Sequence, residues 1–167
     1  VAVPGNAYVV QTGGNFTAPA TPADVALSTT AKTVLGLTAG SANQPSLTEL
    51  DVWCDGTTGF LIVELGLVTN GAAGTATSLT PQQVRGWPAQ TSQQSAAFNY
   101  TVEPTTYSVI ARHWKIPLPI GPPILQFPLG REVTGIVTAS TAGKLITVRM
   151  TVSTGTPNGG CLIEYEE

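Results

Sequence analysis

Charge is what this chain lacks most. Of its 167 residues only 7 are Lys or Arg and 10 are Asp or Glu, while 42% are apolar. A soluble domain usually spends about a quarter of its residues on charge. The surface must therefore be carpeted in Thr, Ser, Asn and Gln, or covered in part by other chains. The basic residues form no run and no neighbouring pair, and the net charge is −3, so the electrostatic footprint of a nucleic-acid binder is missing. Apolar stretches reach only about ten residues and are broken by Gly, Pro or Glu, against the ~20 that span a bilayer. No basic segment followed by an apolar run marks a secretory signal, and the start at Val1 is compatible with cytoplasmic synthesis.

Histidine, cysteine and helix signals are equally scarce. The single imidazole, His113, lies between Arg112 and Trp114 in a strand-like stretch, and no nucleophile motif, phosphate loop or paired-His helix accompanies it. It is expected to be a hydrogen-bonded strand residue, and the chain is not expected to be an enzyme or to carry a cofactor. Cys54 and Cys161 sit in separate apolar runs without the close partners of a zinc site. Two buried free thiols is the simpler expectation, and a bridge needs neighbouring strands with the right geometry. The acidic residues Glu49, Asp51, Glu164 and Glu166 would form a calcium-type cluster only if the fold joined them; solvated strand faces explain them as well. The one helix signal is Thr80-Pro81-Gln82-Gln83-Val84-Arg85, a capped start that Gly86 stops after a turn. Asn15-Phe16-Thr17 and Asn99-Tyr100-Thr101 match a glycosylation acceptor, but a chain this rich in Ser and Thr produces such matches by chance.

What is present is period two. Ile146, Val148, Met150 and Val152 fall on one face, with Thr147, Arg149, Thr151 and Ser153 on the other. Cys161, Ile163 and Tyr165 alternate with Leu162, Glu164 and Glu166, and Leu50, Val52 and Cys54 with Glu49, Asp51 and Trp53. The turn-rich Thr156-Pro157-Asn158-Gly159-Gly160 suggests that the last two strands form a hairpin. Further strands are expected over 7–11, 24–30, 33–38, 97–102, 108–116 and 124–127. Phe60 to Leu65 is apolar on both faces, which calls for a second cover from a loop or another subunit. About eight short strands separated by Gly, Pro and Asn turns describe an all-β antiparallel sandwich, with a jelly roll favoured by the long and uneven connections.

Three stretches are expected to be irregular. Residues 1–23 form an extended N-terminal arm, and 24–167 a single sandwich domain with a long polar loop at 70–96. The connector with Pro117, Pro119, Pro122 and Pro123 is stiff and extended, leaving Ile116, Leu118 and Ile120 exposed on a lone subunit. Those three residues, with Phe60, Ile62, Arg85, Trp87 and Phe127, are the candidate subunit interface. Trp87, near Arg85, Gln82, Gln83 and Gln90, suits a protein contact and also a sugar-stacking platform shared with Trp53 and Trp114.

Four short segments add a resemblance. Val84-Arg85-Gly86, Thr101-Val102-Glu103-Pro104-Thr105, Ile124 to Glu132 and Leu162 to Glu167 together resemble a group of small virion structural proteins of tailed phages that infect actinobacteria. The resemblance implies a jelly-roll capsid-decoration or minor structural subunit located on the virion. It also implies a homotrimer as its first partner and the major capsid protein as its second. The arm, through Val3, Tyr8, Val9 and Phe16, is then expected to dock on the shell. A carbohydrate-binding module is the rival expectation, with host-surface glycans as partner and Trp87 as stacking residue.

Overall fold

The computed structural model describes residues 5–13, 24–38, 45–68, 75–86, 88–104, 107–121, 124–126 and 145–167. Those residues form twelve strands: β1 (Ala7–Gln11), β2 (Val25–Ala26), β3 (Lys32–Thr38), β4 (Ser46–Cys54), β5 (Phe60–Val68), β6 (Thr77–Leu79), β7 (Gln82–Arg85), β8 (Ser95–Phe98), β9 (Tyr107–Pro117), β10 (Ile124–Gln126), β11 (Leu145–Val152) and β12 (Asn158–Glu166). They make two antiparallel sheets. One runs β10-β4-β12-β1-β7 with β2 also on β12; the other runs β6-β8-β3-β11-β5-β9.

The topology is a jelly roll. Setting aside the short β2, β6, β7 and β8, the eight remaining strands in chain order are β1, β3, β4, β5, β9, β10, β11 and β12. One sheet then holds the first, eighth, third and sixth, and the other holds the second, seventh, fourth and fifth. Apart from β4–β5–β9–β10, where two strands share a sheet, successive strands switch layers, as the double Greek key requires. The first strand is split. β1 pairs with residues 162–166 of β12, and β2 pairs with 158–159 along the same edge.

Period two supplies the core. Tyr8, Val10, Leu50, Val52, Ile163 and Tyr165 point inward from the first sheet; Leu35, Leu37, Leu61, Val63, Leu65, Ile146, Val148 and Met150 point inward from the second. All are buried, and each such side chain contributes about 1.5–3 kcal/mol of transfer free energy. The rings of Tyr8 and Tyr165 stack with centroids 5.6 Å apart.

Four expectations are corrected here. First, residues 7–11 are not part of a free arm. β1 is hydrogen-bonded between β12 and β7, and Tyr8 is 1% exposed, because its alternation with Val10 matches the core face. Second, the stretch expected to be a loop at 70–96 contains β6, β7 and the start of β8. Third, the Thr80-Pro81 signal does not open a helical turn. Gln82 and Gln83 pair with Val9 and Tyr8, and this cross-strand pairing overrides the local capping signal. Fourth, β11 and β12 are not a hairpin. β11 lies between β3 and β5, β12 between β1 and β4, and the turn at 153–157 carries the chain from one layer to the other. Gly155, at φ +76°, supplies the left-handed residue in that turn.

Candidate functional site

The outer face of the β3–β11–β5–β9 sheet carries the apolar residues that the sequence marks as lacking a cover, and its two ends differ. At one end the chain covers itself. Val68, Tyr100 and Leu145 form a second buried cluster with Ala76 and Ala97 against it. Tyr100 lies over Gly36, where a Cβ would meet its ring and hydroxyl, so a glycine is required in β3 at that point. Glu103 holds this cover down by accepting the Thr33 N–H at 2.9 Å and pairing with Lys32, whose ammonium also reaches the Tyr100 carbonyl.

The other end is open. Phe60 is 38% exposed and Ile62 half-buried, and Lys115 Nζ stands 4.1 Å from the centre of the Phe60 ring. Register places Lys115 opposite Ile62 on β9 and Thr151 opposite Ile62 on β11. Between the two ends, Arg149 donates to Glu64 Oε2 from Nε at 3.1 Å and from Nη2 at 2.5 Å. His113 is exposed and lies opposite Glu64 on β9.

The remaining interface candidates scatter. Ile116, Leu118 and Ile120 are not left bare: all three are half-buried against the chain's own core. The alternation of β9 continues through the prolines, so these side chains close the end of the sandwich while Pro117, Pro119 and Gly121 face out. The Leu118 N–H donates to the Gly59 carbonyl at 3.0 Å, and its side chain packs over Gly56. Arg85 is at the far side on β7, paired with Glu166. Val9 is half-buried in β1. Val3, Phe16, Trp87 and Phe127 lie outside the described residues.

Trp53 and Trp114, the two tryptophans among the described residues, do not share a platform. Trp53 lies on the outer face of the first sheet, over Gly160, with its indole N–H donating to Asp24 Oδ1 at 2.8 Å. Trp114 is half-buried against the core from the second sheet. A sugar-stacking surface therefore cannot combine these two rings.

Glu49, Asp51 and Glu164 do converge, through the β4–β12 pairing that sets Glu49 opposite Glu164. Asp51 Oδ1 is buried with no hydrogen-bond partner among the described residues. Burial, and then the charges of Glu49 and Glu164, hold its carboxyl above the ordinary carboxylate range. Among the described residues no group of three His, Cys, Asp or Glu side chains is arranged to hold a metal ion.

Cys54 and Cys161 are both free thiols. They occupy neighbouring strands, but Cys54 faces Gly159 and Cys161 faces Val52, a diagonal relation of about 7–8 Å that exceeds the reach of a disulfide. Burial raises the Cys161 thiol well above its usual pKa, and burial also raises that of Cys54.

Two features escape sequence reasoning. At one end of the sandwich Glu167 accepts from Gln93 N at 2.9 Å and from Gln94 Nε2 at 2.8 Å, beside a 2.6 Å hydrogen bond between Ser92 and the Tyr165 hydroxyl. At the other end, the turns 55–58 and 154–157 border an open cleft of about 340 Å³. The Thr- and Gly-rich composition of both turns is visible in the sequence; their meeting is not.

Comparison with protein-family models, with curated proteins and with solved structures finds no match to this chain.

Proposed function

We propose that this chain is a structural subunit of a bacteriophage virion, a capsid-decoration protein that assembles as a trimer on the shell. The observation that carries the reading is a charge-poor jelly roll whose outer sheet face is left open around Phe60 and Ile62. Jelly rolls serve repeatedly as capsid and lectin domains. A ring of such subunits needs a surface that can be desolvated cheaply, and few charges make that easier. The four segments that resemble phage virion proteins support the same reading, and one of them, Leu162 to Glu167, lies on β12 at the centre of the first sheet for all but its last residue.

Shell attachment falls in this reading to the residues flanking β1 rather than to β1 itself, with Val3 and Phe16 as the apolar contacts. Deleting residues 1–20 would remove β1, so the test must leave it in place. Thr12 donates its N–H to Cys161 and Val25 pairs with Gly159, so both pieces of the split strand rest close together on β12. A short Gly-Ser link replacing 14–22 should therefore preserve the fold. Sedimentation equilibrium should give three times the 17.2 kDa chain mass for the unaltered protein. Co-sedimentation with purified shells should be weakened in the shortened variant, which loses Phe16 and keeps Val3. A monomer at every concentration, or undiminished shell binding, would overturn the proposal.

A further inference from the structure

The cleft between the turns at 55–58 and 154–157 belongs to one chain and takes no part in the assembly reading, on which this inference does not depend. It is lined by Asp55, Thr57, Thr58, Thr154, Thr156 and Pro157, with Gly56 and Gly155 completing the wall. At about 340 Å³ it lies at the small end of the range for ligand clefts, ~300–1,000 Å³.

Surface turns are usually mobile, but these two are cross-braced into one unit. Asp55 N–H donates to the Asn158 carbonyl at 3.0 Å. Asn158 returns its own N–H to Asp55 Oδ1 at 2.7 Å and its amide Nδ2 to Oδ2 at 3.1 Å. At the other rim, Phe60 N–H donates to Ser153 Oγ at 2.9 Å and Ser153 N–H to the Phe60 carbonyl at 3.0 Å. Gly59, at φ +83°, lets the chain pass close against Ser153 and Thr154. The cleft is therefore pre-formed, and a ligand would not have to order it.

The chemistry of the lining selects the ligand. The four threonine hydroxyls make no hydrogen bond to any described residue, so each is free to donate and to accept. The Asp55 carboxylate is oriented by two donors, and each of its oxygens keeps a lone pair for a further donor. One carboxylate among hydroxyls repels anions. It also falls short of the several oxygen ligands, mostly carboxylate, that Ca²⁺ takes. An apolar ligand would leave Asp55 and the four threonine hydroxyls without hydrogen-bond partners. A neutral molecule dense in hydroxyl groups satisfies every wall. We propose that this cleft binds the terminal residue of a neutral glycan, with vicinal hydroxyls donating to Asp55, the threonines completing the hydrogen bonds, and Pro157 under the C–H face of the sugar.

The test begins with the full-length protein on an array of neutral, sialylated and sulfated glycans. It continues with ¹⁵N-labelled protein titrated with methyl α-glucoside, methyl β-galactoside and N-acetylglucosamine. Binding to neutral glycans, with amide shifts confined to 55–58 and 154–158, is expected. Thr57→Val and Thr156→Val should each weaken it by about three- to tenfold, the worth of one hydroxyl contact. Both variants should unfold as the parent does, because neither hydroxyl bonds a described protein group, and Trp87→Ala should leave binding intact. Binding to no glycan on the array, preference for anionic glycans, or shifts undiminished in the two variants would each overturn the proposal. Shifts reproduced by Ca²⁺ alone would overturn it too. Loss of binding in Trp87→Ala with retention in the threonine variants would move the site to Trp87 and likewise overturn it.

Discussion

Leu118→Ala separates two roles for the proline-rich connector. If the connector were an interface element, truncating Leu118 would weaken self-association and leave each subunit's stability alone. The structure instead packs Leu118 against Gly56 at the end of the sandwich, with Ile116 and Ile120 beside it on the same core. Gly56 is part of the fit, since a Cβ there would approach the Leu118 side chain to 2.9 Å. Truncating a fully buried leucine costs about 2–5 kcal/mol. Leu118 is half-buried, so roughly half of that, ~1–2.5 kcal/mol, is expected. For a domain of this size each kcal/mol moves the melting temperature by about 2–4 °C, so a fall of roughly 2–10 °C follows. Thermal unfolding by circular dichroism at two protein concentrations, with sedimentation on the same samples, reads both quantities. An unchanged melting temperature with a weakened oligomer would refute the packing argument and return the connector to the interface.

Three further outcomes follow from the geometry. The raised Asp51 carboxyl means that the folded chain binds this proton more tightly than the unfolded chain does, so stability falls as pH rises from the unfolded value of 3.8 through the raised folded value. Asp51→Asn should therefore unfold at higher urea than the parent at pH 7 and at the same urea near pH 3, and a variant less stable at pH 7 would contradict the sign. Gly36→Ala drives a methyl into Tyr100 and should cost about 1–3 kcal/mol in chemical denaturation, whereas no cost would mean that Tyr100 does not rest on β3. In non-reducing mass spectrometry both cysteines should be free; alkylation should leave Cys161 unmodified until urea unfolds the chain, with Cys54 reacting slowly and faster as pH rises.

The strands were legible wherever one face is buried. Alternation marks β4, β11 and β12 because each has a solvated or half-solvated face, and a one-residue slip would turn its apolar set outward. β6 and β7 carry no such mark. Thr77–Leu79 and Gln82–Arg85 are short, polar edge strands, held by pairing with β8 and β1 rather than by their own burial. The turn at 153–157 was recognisable as a turn, but turn chemistry does not say whether a chain returns within its sheet or crosses to the other. The continuation of period two through Ile116, Leu118 and Ile120 was present in the sequence and was masked by the prolines between them. The cleft was not legible, because residues 55–58 and 154–157 lie about a hundred positions apart and only the jelly-roll topology brings them together.

The segment between β5 and β9 decides where an assembly contact can form. β7 extends the first sheet beyond β1, and β8 with β6 extends the second beyond β3, so this one insertion covers both layers on the same side of the sandwich. Tyr100 then covers the adjoining outer face. On the opposite side β9 and β10 are the terminal strands of their sheets among the described residues, and the open patch of Phe60 and Ile62 lies next to β9. If subunits meet, they should meet there. Phe60→Ser combined with Ile62→Ser should weaken self-association at least tenfold, as expected for residues near the centre of a contact, on top of the moderate loss of monomer stability that truncating the half-buried Ile62 brings. Val84→Ser is the control. Val84 is 54% exposed, more so than Phe60, but it lies on β7, at the opposite edge of the sandwich from β9 and β10. Loss of association in Val84→Ser, with none in the double variant, would place the contact at the β7 edge instead.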